Sequence, residues 1–249
     1  MVKPIFSIIT VTLNNLNGLH KTLNSIKQQT SKNYEWIIID GASNDGTQDF
    51  LDNQNISYIS EKDNGIYDAM NKGIHSANGE YLLFLNAGDI LENNNTLSEV
   101  TKKVENQPYD FIYGDSVEEI DDKKTFKRAR PHTAITQGMF THHQAMLYSA
   151  NTIKNLRYNE RYKIAADYDL TWRVLKNSKD ILYIPLLICI FEAGGISQQQ
   201  VFLGRKEQFK IRQDHGISIF QNSFIFVLQT AAYLLRRCCP PLYWFLKRR

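Results

Sequence analysis

The feature that most constrains the fold is a repeated alternation of short apolar runs with segments of helical spacing. The run from Phe6 to Val11 is almost entirely apolar and β-rich, which is typical of a strand covered on both faces. Apolar residues then recur at helical spacing from Leu16 to Ile26, after asparagines suited to capping a helix. A second apolar run extends from Trp36 to Asp40. Strand, helix and strand joined by short loops predict a βαβ unit of a parallel sheet.

The same alternation continues along the chain. The segment from Val117 to Arg130 is polar and highly charged, which favours an exposed hairpin or a mobile loop. With 249 residues, of which 43% are hydrophobic, the chain can form one large α/β domain or a domain with an appendage. Further strands are predicted at residues 56–60, 81–85, 111–113, 144–148 and 181–191, and helices at 66–74, at 97–104 and from 167 onward.

Charge is distributed unevenly along the chain. Five of the 29 basic residues and none of the 26 acidic residues lie after Asp214, so the preceding body is slightly acidic, which argues against nucleic acid as a partner. The basic and apolar C-terminal segment is typical of a membrane-surface contact. The three cysteines show neither disulfide nor zinc spacing, and the N-terminus enters a strand without a signal peptide. These features favour a cytoplasmic protein.

Three acidic residues, Asp40, Asp63 and Asp89, each follow a predicted strand. Ligands of open α/β sheets bind at the carboxyl ends of the strands, where these residues would gather. Acids gathered in one crevice repel each other unless a cation lies among them, which indicates a site for a metal and a polar ligand. The alternative for each residue alone is a turn or cap role, which Asp commonly has.

Four motifs carry a resemblance to a known family. They are the run Ser7 to Thr12, the loop Asp40 to Thr47, the segment Glu61 to Gly73 and the segment Ala165 to Leu170, in this order. Together they resemble the inverting family 2 glycosyltransferases over roughly residues 5–200. The resemblance implies the Rossmann-like α/β GT-A fold, with a predominantly parallel mixed sheet and helices on both faces. To this the apolar and basic residues at the end of the chain add a predicted amphipathic, helical C-terminal tail. The third motif is similar to a subfamily that builds bacterial surface polysaccharides such as O-antigen, capsule and exopolysaccharide.

The resemblance implies a nucleotide-sugar donor, and we expect a UDP-hexose. Thr10 and Asp40 should flank the nucleobase, because a carboxylate can accept a hydrogen bond from a uracil ring N–H. Asp63 should lie near the nucleotide or its ribose. The competing interpretations are a β-branched strand residue for Thr10 and a turn residue for Asp63.

The resemblance also implies a divalent cation, Mn²⁺ or Mg²⁺, on the diphosphate of the donor. The family holds it with an Asp-X-Asp motif, and here the equivalent run is Asn86-Ala87-Gly88-Asp89. Both acids of the usual motif are replaced. We therefore expect Asp89 as the metal ligand, with Asn86 as a weaker neutral oxygen ligand. A metal-independent variant with basic residues on the diphosphate is the alternative.

Asp167 matches the second acid of the pair that includes the family's catalytic base, whereas Ala166 replaces the first. A base is needed because inversion proceeds by one displacement by the acceptor hydroxyl. Asp169 is the second choice, and a helix N-cap is the structural alternative for Asp167. By the same resemblance, His143 and Gln144 could bind metal or phosphate or be structural, and Asp115 should lie near the acceptor. The turn from Gly194 to Ser197 could cover the diphosphate.

The predicted domain is residues 1–215, with a nucleotide-binding half up to about Asp89 and an acceptor half at 90–215. Residues 216–249 form the apolar and basic tail, whose apolar run is short for a bilayer span and fits an interfacial helix better. Packing on the core or a dimer interface is the alternative. The tail would place the enzyme on the inner face of the cytoplasmic membrane, beside a lipid-linked saccharide acceptor.

Two other classes of protein compete with this interpretation. A nucleotide-sugar pyrophosphorylase would carry a glycine-rich basic loop after the first strand, and the residues from Thr12 to Asn15 are not such a loop. A non-catalytic nucleotide-sugar-binding or scaffold protein of the same fold agrees with the altered metal motif. Stabilisation by UDP and manganese would separate a working site from a decayed one, because a ligand of the native state raises its stability.

Overall fold

The computed structural model describes residues 3–54, 56–120 and 123–239, which form one nine-stranded mixed sheet flanked by helices. The strands are β1 (Phe6–Thr12), β2 (Tyr34–Asp40), β3 (Tyr58–Ser60), β4 (Tyr81–Phe84), β5 (Ile90–Leu91), β6 (Phe111–Ile120), β7 (Lys123–Lys127), β8 (Met146–Ser149) and β9 (Ile181–Glu192). The helices are α1 (Leu16–Lys27), α2 (Thr47–Asn53), α3 (Ile66–Ser76), α4 (Thr96–Val104), α5 (Ala150–Leu156), α6 (Ala166–Asn177), α7 (Ile196–Gln199), α8 (Val201–Asp214) and α9 (Ile219–Cys238). Short 3-10 segments cover His132–Gln137 and His143–Ala145.

The first half of the sheet is parallel, as the strand–helix–strand pattern predicts. Strand β1 lies between β2 and β4, and β3 extends the sheet beyond β2. The register pairs Thr12 with Asp40, so β1 and β2 end at the same edge. The side chain of Asn15 caps α1 by accepting a hydrogen bond from the Gly18 N–H, which confirms the predicted helix start.

The second half of the sheet contributes antiparallel strands, which makes the sheet mixed, as predicted. Four strand pairings are parallel and four are antiparallel in the described part of the chain. Strand β8 is antiparallel to both β4 and β6, and β7 pairs antiparallel with β6. The polar segment from Val117 to Arg130 is therefore largely a hairpin. A hairpin reverses the chain and makes its pairing antiparallel, whereas a parallel pairing needs a crossover connection.

Helices cover both faces of the sheet, as predicted. In β1, Ile9 and Val11 pack with α3, α5 and α6, while Phe6 and Ile8 pack with α1 and α4. Alternate residues of one strand point to opposite faces, so each face has its own apolar core. This buried framework holds the carboxyl ends of the strands in place.

The C-terminal helices α8 and α9 pack against each other and against the body. Arg212 of α8 is fully buried, and its Nε donates a 2.6 Å hydrogen bond to Oδ1 of Asn222 in α9. No helix within residues 3–54, 56–120 and 123–239 is long and apolar enough to cross a membrane. The end of the predicted tail, residues 240–249, lies outside the described residues.

Candidate active site

A cleft of about 640 Å³ opens at the carboxyl ends of β1 and β4. Its position agrees with the rule that open α/β sheets bind ligands at this edge. Residues from distant parts of the sequence meet here, because parallel strands end on the same side of the sheet. The polar and loop residues that line it include Thr12, Asn15, Asp63, Asn86, Asp89, Lys163, Glu192, Gly194 and Gly195.

Asp89 lies in this cleft with 4% of its surface exposed. Its Oδ2 accepts a 2.8 Å hydrogen bond from Nε2 of Gln144, and its Oδ1 accepts a 3.0 Å bond from the Glu192 N–H. Burial raises the pKa of Asp89 to about 7, against the lowering effect of these two hydrogen bonds. A carboxyl that is hard to ionise in isolation but held by two donors is suited to facing a positive charge.

Asn86 and Asp89 are compatible with the divalent cation that the sequence predicts. The Oδ1 atom of Asn86 is buried without a hydrogen-bond partner. A bound cation or a hydrogen-bond donor of a ligand would satisfy this acceptor. Among the residues that the structure describes, no cluster of three His, Cys, Asp or Glu side chains could hold a metal. Mg²⁺ sites commonly use one or two carboxylates with substrate phosphates, and Asn86 with Asp89 fits that class only.

The structure places Thr10 in the core and corrects its predicted contact with the nucleobase. Thr10 is fully buried, and its hydroxyl donates to the Leu85 carbonyl and accepts from the Trp36 ring N–H. Both hydrogen-bonding capacities are thus used inside the protein. Thr12 lines the cleft instead, and its Oγ1 is buried without a partner. Alternation along a strand turns residues 10 and 12 to the same face, but only the strand end reaches the cleft.

Asp40 is also fully buried and does not line the cleft. Its carboxylate accepts hydrogen bonds from the N–H and hydroxyl of Ser43 and from the hydroxyl of Ser60. Asp40 therefore orders the loop after β2. It is not among the residues that line the cleft in which a nucleobase would bind. Asp63 does line the cleft, and its Oδ1 accepts from the Gly65 N–H at the start of α3.

A second cavity, of about 670 Å³, lies between the body and helices α8 and α9 and contains Asp167. The two cavities adjoin, because the segments 163–165 and 194–197 contribute residues to both. The predicted turn from Gly194 to Ser197 thus forms part of the wall between them. We call the second cavity the catalytic cavity, because it contains Asp167, the predicted base. Asp167 therefore lies in a cavity beside the cleft.

Asp167 is the second residue of α6 and retains 22% side-chain exposure. Its Oδ1 accepts a 2.8 Å hydrogen bond from the Tyr168 N–H, and burial raises its pKa to about 6. The helix cap is Ala165, so the predicted cap alternative for Asp167 is wrong. The Glu207 carboxylate accepts from the N–H groups of residues 163, 164 and 165, which fixes the approach to Asp167.

His143 lies beside Asp167, with its Nδ1 3.8 Å from Oδ2 of that residue. Burial lowers the pKa of His143 to about 4, so the ring is neutral near pH 7. Its Nε2 is buried without a hydrogen-bond partner. A neutral imidazole at this distance leaves the Asp167 carboxylate without a permanent counter-ion.

Asp169 and Asp115 form structural contacts and are not among the residues that line either cavity. Asp169 pairs with Arg173 at 2.7 Å, and although burial opposes ionisation, His215 and Arg173 outweigh it and hold the pKa of Asp169 below its usual value. Asp115 accepts hydrogen bonds from the Ala129 N–H and the Tyr183 hydroxyl, which ties the end of the hairpin to β9. Their predicted roles at the acceptor or the diphosphate are corrected accordingly.

Several cleft residues were not among the predicted site residues. Glu192 ends β9, forms a 2.7 Å ion pair with Lys21 and presents its backbone N–H to Asp89. Its position two residues before a Gly-Gly turn was the available signal. Arg205 lines the catalytic cavity from α8, and no sequence motif marks it.

Comparison with known proteins identifies relatives of the chain. The family model described as Glycosyl transferase family 2 matches residues 7–177. A PGL/p-HBAD biosynthesis glycosyltransferase of Mycobacterium bovis BCG is 33% identical over 210 residues, which cover 79% of this chain and 80% of that protein. The match of the family model includes the predicted site residues from Thr10 to Asp169, and the turn from Gly194 to Ser197 lies beyond it.

Solved glycosyltransferases share the fold. S. aureus TarS in complex with UDP-GlcNAc superposes with a TM-score of 0.69 at 17% identity, covering 83% of this chain and 64% of that one. The mannosyltransferase PcManGT from Pyrobaculum calidifontis, in complex with GDP-Man and Mn²⁺, superposes with a TM-score of 0.64 at 14% identity. It covers 96% of this chain and 76% of that one. The GT-A fold implied by the sequence motifs is thereby confirmed.

Proposed function

The chain belongs to glycosyl transferase family 2, and on that premise we propose that it moves a hexose from a UDP-sugar to an acceptor hydroxyl with inversion. The observation that carries this proposal is the adjacency of the cleft, with Asp63, Asn86 and Asp89, to the cavity that contains Asp167. One compartment suits a nucleotide diphosphate, and the other presents a carboxylate base. A glycosyltransferase needs the nucleotide diphosphate and the base on either side of the same donor sugar.

The proposed step is a single displacement at the anomeric carbon of the donor sugar. Asp167 accepts the proton of the acceptor hydroxyl as the hydroxyl oxygen forms its bond to that carbon. The bond between the carbon and the diphosphate oxygen breaks, and UDP leaves with the electron pair. A pKa of about 6 leaves Asp167 mostly ionised at pH 7 while still basic enough to hold the proton. Attack opposite the leaving group inverts the configuration.

The donor occupies the cleft in this proposal. Thr12 and Asp63 face the nucleoside. Asp40 acts indirectly, because its hydrogen bonds hold the loop after β2 in place. A UDP-sugar is supported by the UDP-GlcNAc complex of TarS, and a divalent cation by the Mn²⁺ in the PcManGT complex. Asn86 and Asp89 would hold Mn²⁺ or Mg²⁺, which neutralises the leaving diphosphate when bound. Gln144 and the Glu192 N–H orient Asp89 for that purpose.

The acceptor in this proposal is a lipid-linked saccharide at the inner face of the cytoplasmic membrane. Support comes from α9, whose exposed stripe includes Phe220, Phe224 and Val227 with exposures of 86%, 63% and 61%. Arg236 and Arg237 follow in the last turn, as in interfacial helices that contact anionic lipid. The similar mycobacterial protein is named for the synthesis of PGL. The acceptor half is accordingly residues 90–215, the nucleotide half 1–89, and the membrane-contacting tail 216–249.

The membrane contact is tested by flotation with vesicles that contain phosphatidylglycerol. We expect Phe220→Ser combined with Phe224→Ser to reduce the bound fraction several-fold, because a large apolar area is lost from the interface. Phe209→Ser, on the side of α8 that packs against Phe226, is unsuitable as a control because it disturbs the core of the helix pair. Lys102→Ser, on the exposed side of α4 in the body, is the matched surface control and should leave binding unchanged.

The transferase itself is tested by a donor screen. Each UDP-hexose is incubated with the full chain and manganese, and UDP release is measured with and without extracts of lipid-linked saccharides. We expect UDP with manganese to raise the melting temperature and one UDP-hexose to be consumed. A chain that no nucleotide stabilises would favour the non-catalytic scaffold.

A further inference from the structure

The catalytic cavity carries an excess of positive charge that the proposed displacement does not need. Arg130, Arg205 and Arg236 line it, and Asp167 is the only acid among its described lining residues. None of the three arginines forms a salt bridge within the described part of the chain. Three guanidinium groups against one carboxylate leave the cavity lining net positive, which suits an anion.

Contacts within the protein hold Arg130 and Arg205 in place, and Arg205 keeps an unsatisfied donor. Arg205 lies over the ring of Tyr233, 5.0 Å from its centroid, and its Nη1 is buried without a hydrogen-bond partner. Arg130 donates a 2.9 Å hydrogen bond to the Met139 carbonyl and a 3.2 Å bond to the Gln137 side chain, which hold its guanidinium at the cavity. A buried donor without a partner is costly, and an oxyanion with several acceptor oxygens would remove that cost.

Helix α9 joins this cavity to the apolar stripe. Gln229, Tyr233 and Arg236 line the cavity, whereas Phe220 and Val227 are exposed. At 3.6 residues per turn these two sets lie on opposite sides of the helix. One helix therefore presents an anion site on one side and a lipid-compatible surface on the other. A ligand that satisfies both has an anionic group attached to an apolar chain.

We propose that the catalytic cavity binds a phosphoryl group that links an apolar chain to the acceptor sugar, through Arg130, Arg205 and Arg236. This inference rests on the proposed function, because the hydroxyl of that sugar must reach Asp167 while its phosphoryl group lies among the arginines. Guanidinium groups match phosphate geometry with paired hydrogen bonds, which favours a phosphoryl group over a neutral sugar. The substrate class is thus a lipid phosphate or lipid diphosphate saccharide.

The test is calorimetric titration of the full chain with farnesyl diphosphate, after saturation of the cleft with UDP and manganese. We expect saturable binding that Arg205→Gln weakens about ten-fold or more, as for a lost charge-assisted hydrogen bond. Lys210→Gln removes the same charge from an exposed position of the same helix and should change the affinity less than two-fold. The exposed Arg236 offers a second variant, Arg236→Gln, should Arg205→Gln fail to fold.

The affinity for UDP with manganese reports separately on the proposed function. If the wild type binds UDP but binds a neutral farnesyl glucoside as well as farnesyl diphosphate, the anion site is refuted and the transferase is not. If Arg205→Gln weakens UDP instead, the arginines serve the donor diphosphate and the inference is overturned. Binding of methyl glucuronide but not of farnesyl diphosphate would also overturn it, in favour of an acidic sugar.

Discussion

Replacing Asp167 by Asn should lower activity and raise stability at the same time. The Asn side chain keeps the shape and can still accept the Tyr168 N–H hydrogen bond, but it cannot take a proton from the acceptor. Turnover should fall by about 10² to 10⁴, the contribution of a positioned general base. Donor affinity should stay within about two-fold, because Asp167 lies in the catalytic cavity and outside the cleft.

The stability gain follows from the pKa of the carboxyl. Burial raises the pKa of Asp167 from 3.8 to about 6 in the folded protein, so ionisation opposes folding. Below about pH 4 the Asp167 carboxyl is protonated in both the folded and the unfolded protein, so its pKa shift does not change the free energy of unfolding. Above about pH 6 the carboxyl is ionised in the folded protein, which lowers the free energy of unfolding by about 3 kcal/mol. Asp167→Asn bears no such cost. It should therefore be more stable by up to about 3 kcal/mol at pH 7.5 and equal to the wild type near pH 4.

Two measurements check this prediction. Urea denaturation at pH 7.5 and at pH 4 measures the free energy of unfolding, and UDP release at saturating donor measures turnover. At saturating donor and manganese, the wild type should also lose kcat about ten-fold per pH unit below pH 6, which the variant should not do. A variant that keeps a third of the wild-type turnover, or that is less stable at pH 7.5, would refute the assignment of Asp167 as base.

Four further substitutions separate structural from functional acids and hydroxyls. Asp169→Asn should destabilise the fold by roughly 3 kcal/mol above pH 5, because it leaves Arg173 unpaired, while the folded fraction keeps its turnover; urea melts and specific activity measure both. Asp89→Asn should abolish the gain in UDP affinity that manganese brings. In the wild type that gain should grow from pH 6 to pH 8, because Asp89 ionises around pH 7. Titration calorimetry with UDP, with and without manganese, measures both effects. Thr12→Val should weaken UDP binding several-fold at unchanged stability, whereas Thr10→Val should cost roughly 1 to 3 kcal/mol of stability at unchanged UDP affinity, and the opposite pattern would restore Thr10 to the cleft.

The amino-acid sequence by itself determined the class of fold and the order of the elements. Buried strands are apolar throughout and helices repeat every 3.6 residues, so β1, α1 and β2 are visible as local patterns. The acids that end strands could be located in the same way, since turn and strand chemistry are local. Asp63 and Asp89 were therefore located from local patterns, whereas Asp167 and the expected roles of all three came from the family motifs.

The tertiary structure alone decided which of these side chains share a cavity. Thr10 and Thr12 are two residues apart on one strand, but only the sheet and its neighbours bury the first and leave the second at the cleft. The antiparallel pairings of β8 also depend on distant strands. Asp167 and Asp169 have the same side chain, and only the positions of Arg173 and the helices around them make one a base candidate and the other half of an ion pair. Arg205 shows the same limit, because side chains distant in sequence converge only after packing has fixed α8 and α9 against the body.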